Sequence, residues 1–152
     1  MTPLPPKVAV DRRGEAAGMA QMVADLVEAN LADSPRRARA ARNGRGEVVL
    51  LATDRHLGVT VRFTGEEVVV SGEADPAAQT RLAGSWLDMA EVCSGRRSAL
   101  VAVAGRRIRI LKGGRLRVLV RAAFVLKAPS SAYATAGRWR RKGRTSAARE
   151  AR

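Results

Sequence analysis

Leu57-Gly58-Val59-Thr60-Val61-Arg62-Phe63-Thr64-Gly65-Glu66-Glu67-Val68-Val69-Val70 is the stretch that decides the fold. In its first half Val59, Val61 and Phe63 alternate with Thr60 and Arg62, the two-residue period of a strand with one buried face. Thr64-Gly65 is a tight turn and Glu66 to Ser71 a second strand-like run, so the two form a hairpin. Upstream, Glu47 to Thr53 reads as a further strand. Downstream, Arg81 to Gly84 adds a short one.

The flanking segments change period. From Glu15 to Asp33, Met19, Val23, Leu26 and Val27 recur at helical spacing, with Asp25 and Glu28 on the other side. Ser34 caps a second, short helix with Pro35 at its first position, ending near Asn43-Gly44. Beyond the hairpin, Ser85 with Asp88 three residues on resembles a capping box, and Trp86, Met89, Ala90 and Cys93 share the face of the helix that follows. Ser98 to Ala104 is another small helix. Arg106 to Leu111 is a strand with Ile108 and Ile110 on one face, broken by Gly113-Gly114. In the last helix, Arg115 to Leu126, the apolar stripe is Leu116, Leu119, Val120, Ala123 and Phe124. This order predicts an α+β domain, a mainly antiparallel five-stranded sheet covered by helices. No internal repeat is visible.

At 152 residues, with 46% hydrophobic residues and 3% aromatics, the chain suits one domain with an aliphatic core. Its single cysteine, Cys93, excludes an internal disulfide framework and a Cys-rich zinc site. The opening Met1-Thr2-Pro3-Leu4-Pro5-Pro6 has no apolar core of a secretory signal, and Arg117 and Arg121 interrupt the longest apolar run. These features, with the free thiol, predict a cytoplasmic protein. The formal charge is +14, and half of that excess lies in residues 127–152. That segment is expected to be a disordered basic tail, and residues 1–13 a flexible lead into a domain at 14–126.

No catalytic constellation emerges. His56, the only histidine, falls in a turn beside Asp54, and Cys93 reads as a small buried thiol. Glu66-Glu67 and Glu73 with Asp75 sit in polar, turn-like stretches and read as surface charge. No metal-ligand spacing, phosphate-binding lysine loop or dinucleotide fingerprint is present. The expectation is a protein that is not an enzyme and holds neither metal nor cofactor. The aliphatic surface on the helices and sheet suits either a dry core or a cavity for an apolar guest.

Leu57 to Val70, then Asp75-Pro76 and Arg81-Leu82-Ala83-Gly84 leading into a helix, resemble the sterol carrier (nonspecific lipid-transfer) domain family. So do the helix ending Ser94-Gly95-Arg96, a short apolar helix, Ala104-Gly105-Arg106-Arg107-Ile108-Arg109-Ile110, a Gly turn and a closing apolar helix. The resemblance spans residues 15–126 and rests on the order of these pieces rather than on one motif. Where the family usually has a Gly-Asp-Leu-like turn, Lys112-Gly113-Gly114-Arg115-Leu116 lacks the acid, which bears on the entrance to any cavity. The resemblance implies an apolar tunnel between sheet and helices that binds a sterol, fatty acyl chain or similar lipid without reacting it. It would be lined by Val61, Phe63, Leu82, Trp86 and Met89, with Leu100, Val103, Ile108, Leu119 and Phe124. The same residues also suit an ordinary core.

The tail supplies the other expectation. Arg138, Trp139, Arg140, Arg141, Lys142 and Arg144 combine a charge run with one aromatic ring, as a segment contacting an anionic membrane does. The alternatives are a nucleic-acid-associated basic protein and an accessory interaction module for an enzyme of lipid metabolism. For nucleic acid, roughly seven phosphate contacts give a log–log salt slope of about −6.

Overall fold

The computed structural model describes residues 4–127. The basic residues proposed for anionic contacts, from Arg138 to Arg144, lie outside them. In chain order the elements are β1 (Lys7–Asp11), α1 (Ala17–Asp33), α2 (Pro35–Arg42), β2 (Gly46–Ala52), β3 (Leu57–Phe63), β4 (Glu67–Ser71) and β5 (Thr80–Gly84). Then come α3 (Trp86–Cys93), α4 (Ala99–Ala104), β6 (Ile108–Gly113) and α5 (Leu116–Leu126).

The hairpin is β3–β4, with Phe63 opposite Val68 and Val61 opposite Val70. Gly65 has φ 95° at the first position of its two-residue turn, a conformation that excludes most side chains. Thr64 closes the turn, its hydroxyl donating to the Glu67 carbonyl and accepting from the Glu67 amide, both at 3.1 Å. The expected helix caps also form. Ser34 accepts from the Arg37 amide and Ser85 from the Asp88 amide.

The sheet corrects the five-stranded expectation. It has six strands in the order β1-β4-β3-β2-β5-β6 and is mixed, because β1 pairs parallel to β4 and β5 parallel to β2. The additional strand lies within residues 1–13, where Val8 and Val10 alternate over only five residues after a proline-rich start. The parallel placement of β5 follows from the connection before it. Thr60, buried on β3, donates its hydroxyl to the Glu73 carbonyl at 2.6 Å and accepts from the Asp75 amide at 2.9 Å. These bonds bind the connection against the middle of the sheet, and the chain enters β5 on the far side of β2.

All the helices lie on one face. α1 covers β1, β3 and β4, α5 covers β2, and α4 packs on β6. One continuous core joins Val23, Val27 and Leu31 of α1 to Val48, Val61 and Val70 of the sheet and to Val118 and Val125 of α5. Within it, Asn30 is 1% exposed and donates its side-chain amide to the Val125 carbonyl at 2.8 Å. This bond satisfies one of the carbonyls that the last turn of α5 leaves without a helical partner.

α5 is turned differently from its predicted stripe. Val118, Ala122, Val125 and Leu126 are buried, whereas Leu116, Val120, Ala123 and Phe124 face outward. The helix is apolar almost all round, so its period alone does not choose a face. Tertiary contacts choose it. A Cβ added at Gly46 would lie 2.9 Å from Val118, so a glycine on β2 admits this side of the helix.

Candidate functional site

The core-facing row Leu50–Leu82–Ile110 runs across β2, β5 and β6 as paired residues. Its exposure rises along the row. Leu50 is 4% exposed, Leu82 is half-buried and Ile110 is 42% exposed. The neighbouring row, Ala52–Gly84–Ile108, stays closed, with Ile108 and Ala102 of α4 both buried. The helix layer is therefore complete over β1 to β2 and thin over β5, between α5 and α4. Aliphatic side chains form the floor of that gap.

The ten residues expected to line a cavity take three kinds of place. Val61, Phe63, Met89 and Ile108 are packed in the core. Leu82, Trp86 and Leu119 are half-buried. Val103 and Phe124 are exposed, and Leu100 is 83% exposed on the outer side of α4. The structure brings Leu82 beside Ile110, which those ten omit. Ile110 shares the face of Ile108, so its alternation with Arg109 was the available signal.

Two further apolar depressions lie on the helices. One, of about 270 Å³, runs between α1 and α3 and is lined by Met22, Val23, Leu26, Trp86, Ala90 and Cys93. The Arg55 guanidinium lies over the Trp86 ring, 5.5 Å from its centroid, and the Trp86 amide donates to Asp54. Burial pushes the Cys93 thiol up to about 11, so it is protonated at neutral pH and a poor nucleophile. His56 is exposed in its turn, at φ 53°. The second depression, about 420 Å³, lies between α2 and α5 beside Ala40, Leu116, Val120 and Phe124. The larger volume falls in the roughly 300–1,000 Å³ range of small-molecule sites, and the smaller lies just below it.

Charge frames the open edge. Asp88 accepts from the Ser85 hydroxyl at 2.7 Å and from Arg107 at 3.2 Å, and these contacts, the Ser85 bond first, hold its carboxyl below the usual carboxylate range. The ion pair links α3 to the loop before β6. Among the described residues no group of three or more His, Cys, Asp or Glu is placed to hold a metal. No helix among them is long and apolar enough to cross a membrane.

The arrangement of sheet and helices has known counterparts. The UbiJ-SCP2 ubiquinone synthesis protein superposes with a TM-score of 0.58 over 71% of this chain and 92% of its own, at 14% identity. Sterol carrier protein 2 gives 0.53 over 72% and 88%, at 18% identity. This is a sterol carrier protein-like fold. It also matches 16% of the much longer stereoselective inverting sec-alkylsulfatase Pisa1 from a Pseudomonas species, at 10% identity and a TM-score of 0.50 over 66% of this chain. No family profile and no curated protein matches the sequence. Within the sterol carrier-like fold, the core-facing aliphatic row of this chain grows more exposed from Leu50 on β2 through Leu82 on β5 to Ile110 on β6.

Proposed function

We propose that the chain binds a lipid (a sterol, fatty acyl chain or similar apolar molecule) without reacting it, and passes it on. The reading rests on one observation above all: the core-facing row Leu50–Leu82–Ile110 opens to solvent on a sterol carrier-like fold. In this reading Leu82 and Ile110 form the floor of the ligand space, and Val103 and Leu119, on the helices bounding the gap, its walls. Val61, Phe63, Met89 and Ile108 hold the inner wall rigid. Residues 127–152 dock the carrier to anionic membrane through Arg138 to Arg144, a role supported by their charge.

The energetics suit a carrier. Burial is worth about 0.8 kcal/mol per methylene, or ~13 kcal/mol gross for ~16 carbons. Association and ordering cost ~4–15 kcal/mol, which leaves weak to micromolar binding and permits release.

A fluorescent fatty-acid probe tests this directly. Wild-type protein is expected to bind it saturably at about one per chain. Ile110→Asp should weaken binding by at least about tenfold, the worth of burying one aliphatic side chain, with little effect on folding because Ile110 is already exposed. Equal binding by Ile110→Asp, or none by the wild type, would remove this assignment of the site.

The likeness to a ubiquinone synthesis protein favours one second reading, an accessory module for an enzyme of lipid metabolism. Co-purification of a stoichiometric protein, with no lipid, would support it.

A further inference from the structure

From Val92 to Lys127 inclusive there are ten arginines and lysines and no acidic residue. The same stretch contains eight of the eleven large apolar side chains that are exposed among the described residues. An ordinary solvated surface mixes both signs of charge and keeps such side chains scattered. The two properties meet on α5. Leu116, Val120 and Phe124 are four residues apart along one side of the helix and are 69%, 59% and 44% exposed. They border the depression shared with α2, together with Arg117 and Arg121. From α2, Arg37 holds its guanidinium 5.7 Å from the centre of the Phe124 ring. α2 itself carries four arginines and no acid.

The charge selects the occupant. Residues 127–152 are themselves strongly basic, and a second copy would bring the same basic face to a symmetric contact, so both are repelled. A nucleic acid would pair with the arginines and leave the row of Leu116, Val120 and Phe124 without a partner. An anionic bilayer accommodates both features, with guanidinium groups at the phosphates and the apolar row in the headgroup–acyl boundary. We propose that the outer face of α5, with α2 beside it, is a docking surface for membranes rich in anionic lipid. This surface is distinct from the basic tail and does not depend on the ligand space over β5 and β6.

Co-sedimentation of the full chain with phosphatidylcholine vesicles, with and without phosphatidylglycerol, tests it. Binding is expected only where the anionic lipid is present. Val120→Asp/Phe124→Asp should weaken it by at least about tenfold, because two immersed apolar groups become like-charged with the headgroups. A full-length variant with Arg138, Arg140, Arg141, Lys142 and Arg144 changed to Gln should bind more weakly, as expected if the tail also docks, yet keep measurable binding that Val120→Asp/Phe124→Asp then removes. Wild-type affinity in the α5 variant, or loss confined to the tail variant, would overturn the proposal, as would binding to duplex DNA in the absence of any to vesicles. Should the double variant misfold, Val120→Cys in a Cys93→Ser background, carrying an environment-sensitive dye, replaces it, the second change removing the one native thiol. A blue shift on anionic vesicles is expected, and unchanged emission would overturn the idea. Fatty-acid probe binding by the Asp variant separates the two sites: it should persist when vesicle binding is lost. Absence of probe binding in the wild type, with vesicle docking intact, counts against the ligand space alone.

Discussion

Asn30→Asp is expected to lower stability by about 3–5 kcal/mol at neutral pH, the cost of a buried charge without a compensating partner. Asn30 is sealed beneath α5, and its amide donates to the Val125 carbonyl at 2.8 Å. An aspartate there is nearly isosteric but, when ionised, sets a carboxylate oxygen against a carbonyl oxygen. Folding therefore favours the protonated acid, whose hydroxyl restores the hydrogen bond, and raises the group above its unfolded value of about 3.9. The sign follows. Below that unfolded value both states hold the proton and most stability is kept; as pH rises toward the raised folded value, only the unfolded state releases it and stability falls. Asn30→Ala, in contrast, loses one hydrogen bond and leaves one acceptor unpaired, about 1–3 kcal/mol with no such pH dependence. Urea unfolding of the two variants at acidic and neutral pH separates these profiles. Identical, pH-independent losses would show that the α1–α5 contact is open to water.

Phe63→Ala is expected to cost about 3–5 kcal/mol, as for other large buried aromatic residues. Phe63 is 2% exposed at the end of β3, paired with Gly46 on one side and Val68 on the other. Its removal leaves a void below the start of α5, where the glycine-lined approach of Val118 gives the helix little freedom to collapse. Ile110→Asp should show the opposite signature, an unfolding free energy within about 1 kcal/mol of wild type but weakened probe binding. Equilibrium unfolding of both proteins, alongside probe titration, distinguishes core from ligand surface. A loss below about 1 kcal/mol for Phe63→Ala, with reduced probe affinity, would move Phe63 from the core into the site.

The hairpin was legible because Val59, Val61 and Phe63 alternate cleanly and Gly65 marks the turn, although the turn residues are Gly65-Glu66, closed by Thr64, rather than Thr64-Gly65. The caps at Ser34 and Ser85 were legible for the same reason, since each depends on residues three apart. Information that comes from distant contacts was not. β1 has only Val8 and Val10 to mark it and becomes a strand by pairing with β4. The parallel entry of β5 depends on Thr60 binding the Glu73–Asp75 connection, a contact that no local pattern encodes. α5 offered two apolar faces, and the choice lay with Gly46 and Asn30, far away in sequence. The candidate site suffered most. An aliphatic residue reads alike whether it seals a core, as Val61 does, or borders solvent, as Ile110 does.

Native mass spectrometry of the purified full chain, followed by organic extraction and lipid analysis, tests the carrier reading most directly. The expected result is a population carrying a fatty acyl or sterol-like mass near one per chain, released by extraction and diminished in Ile110→Asp. A chain that is always empty, and that also fails to take up an added fluorescent fatty acid, would contradict it: the aliphatic row over β5 and β6 would then be core left partly uncovered.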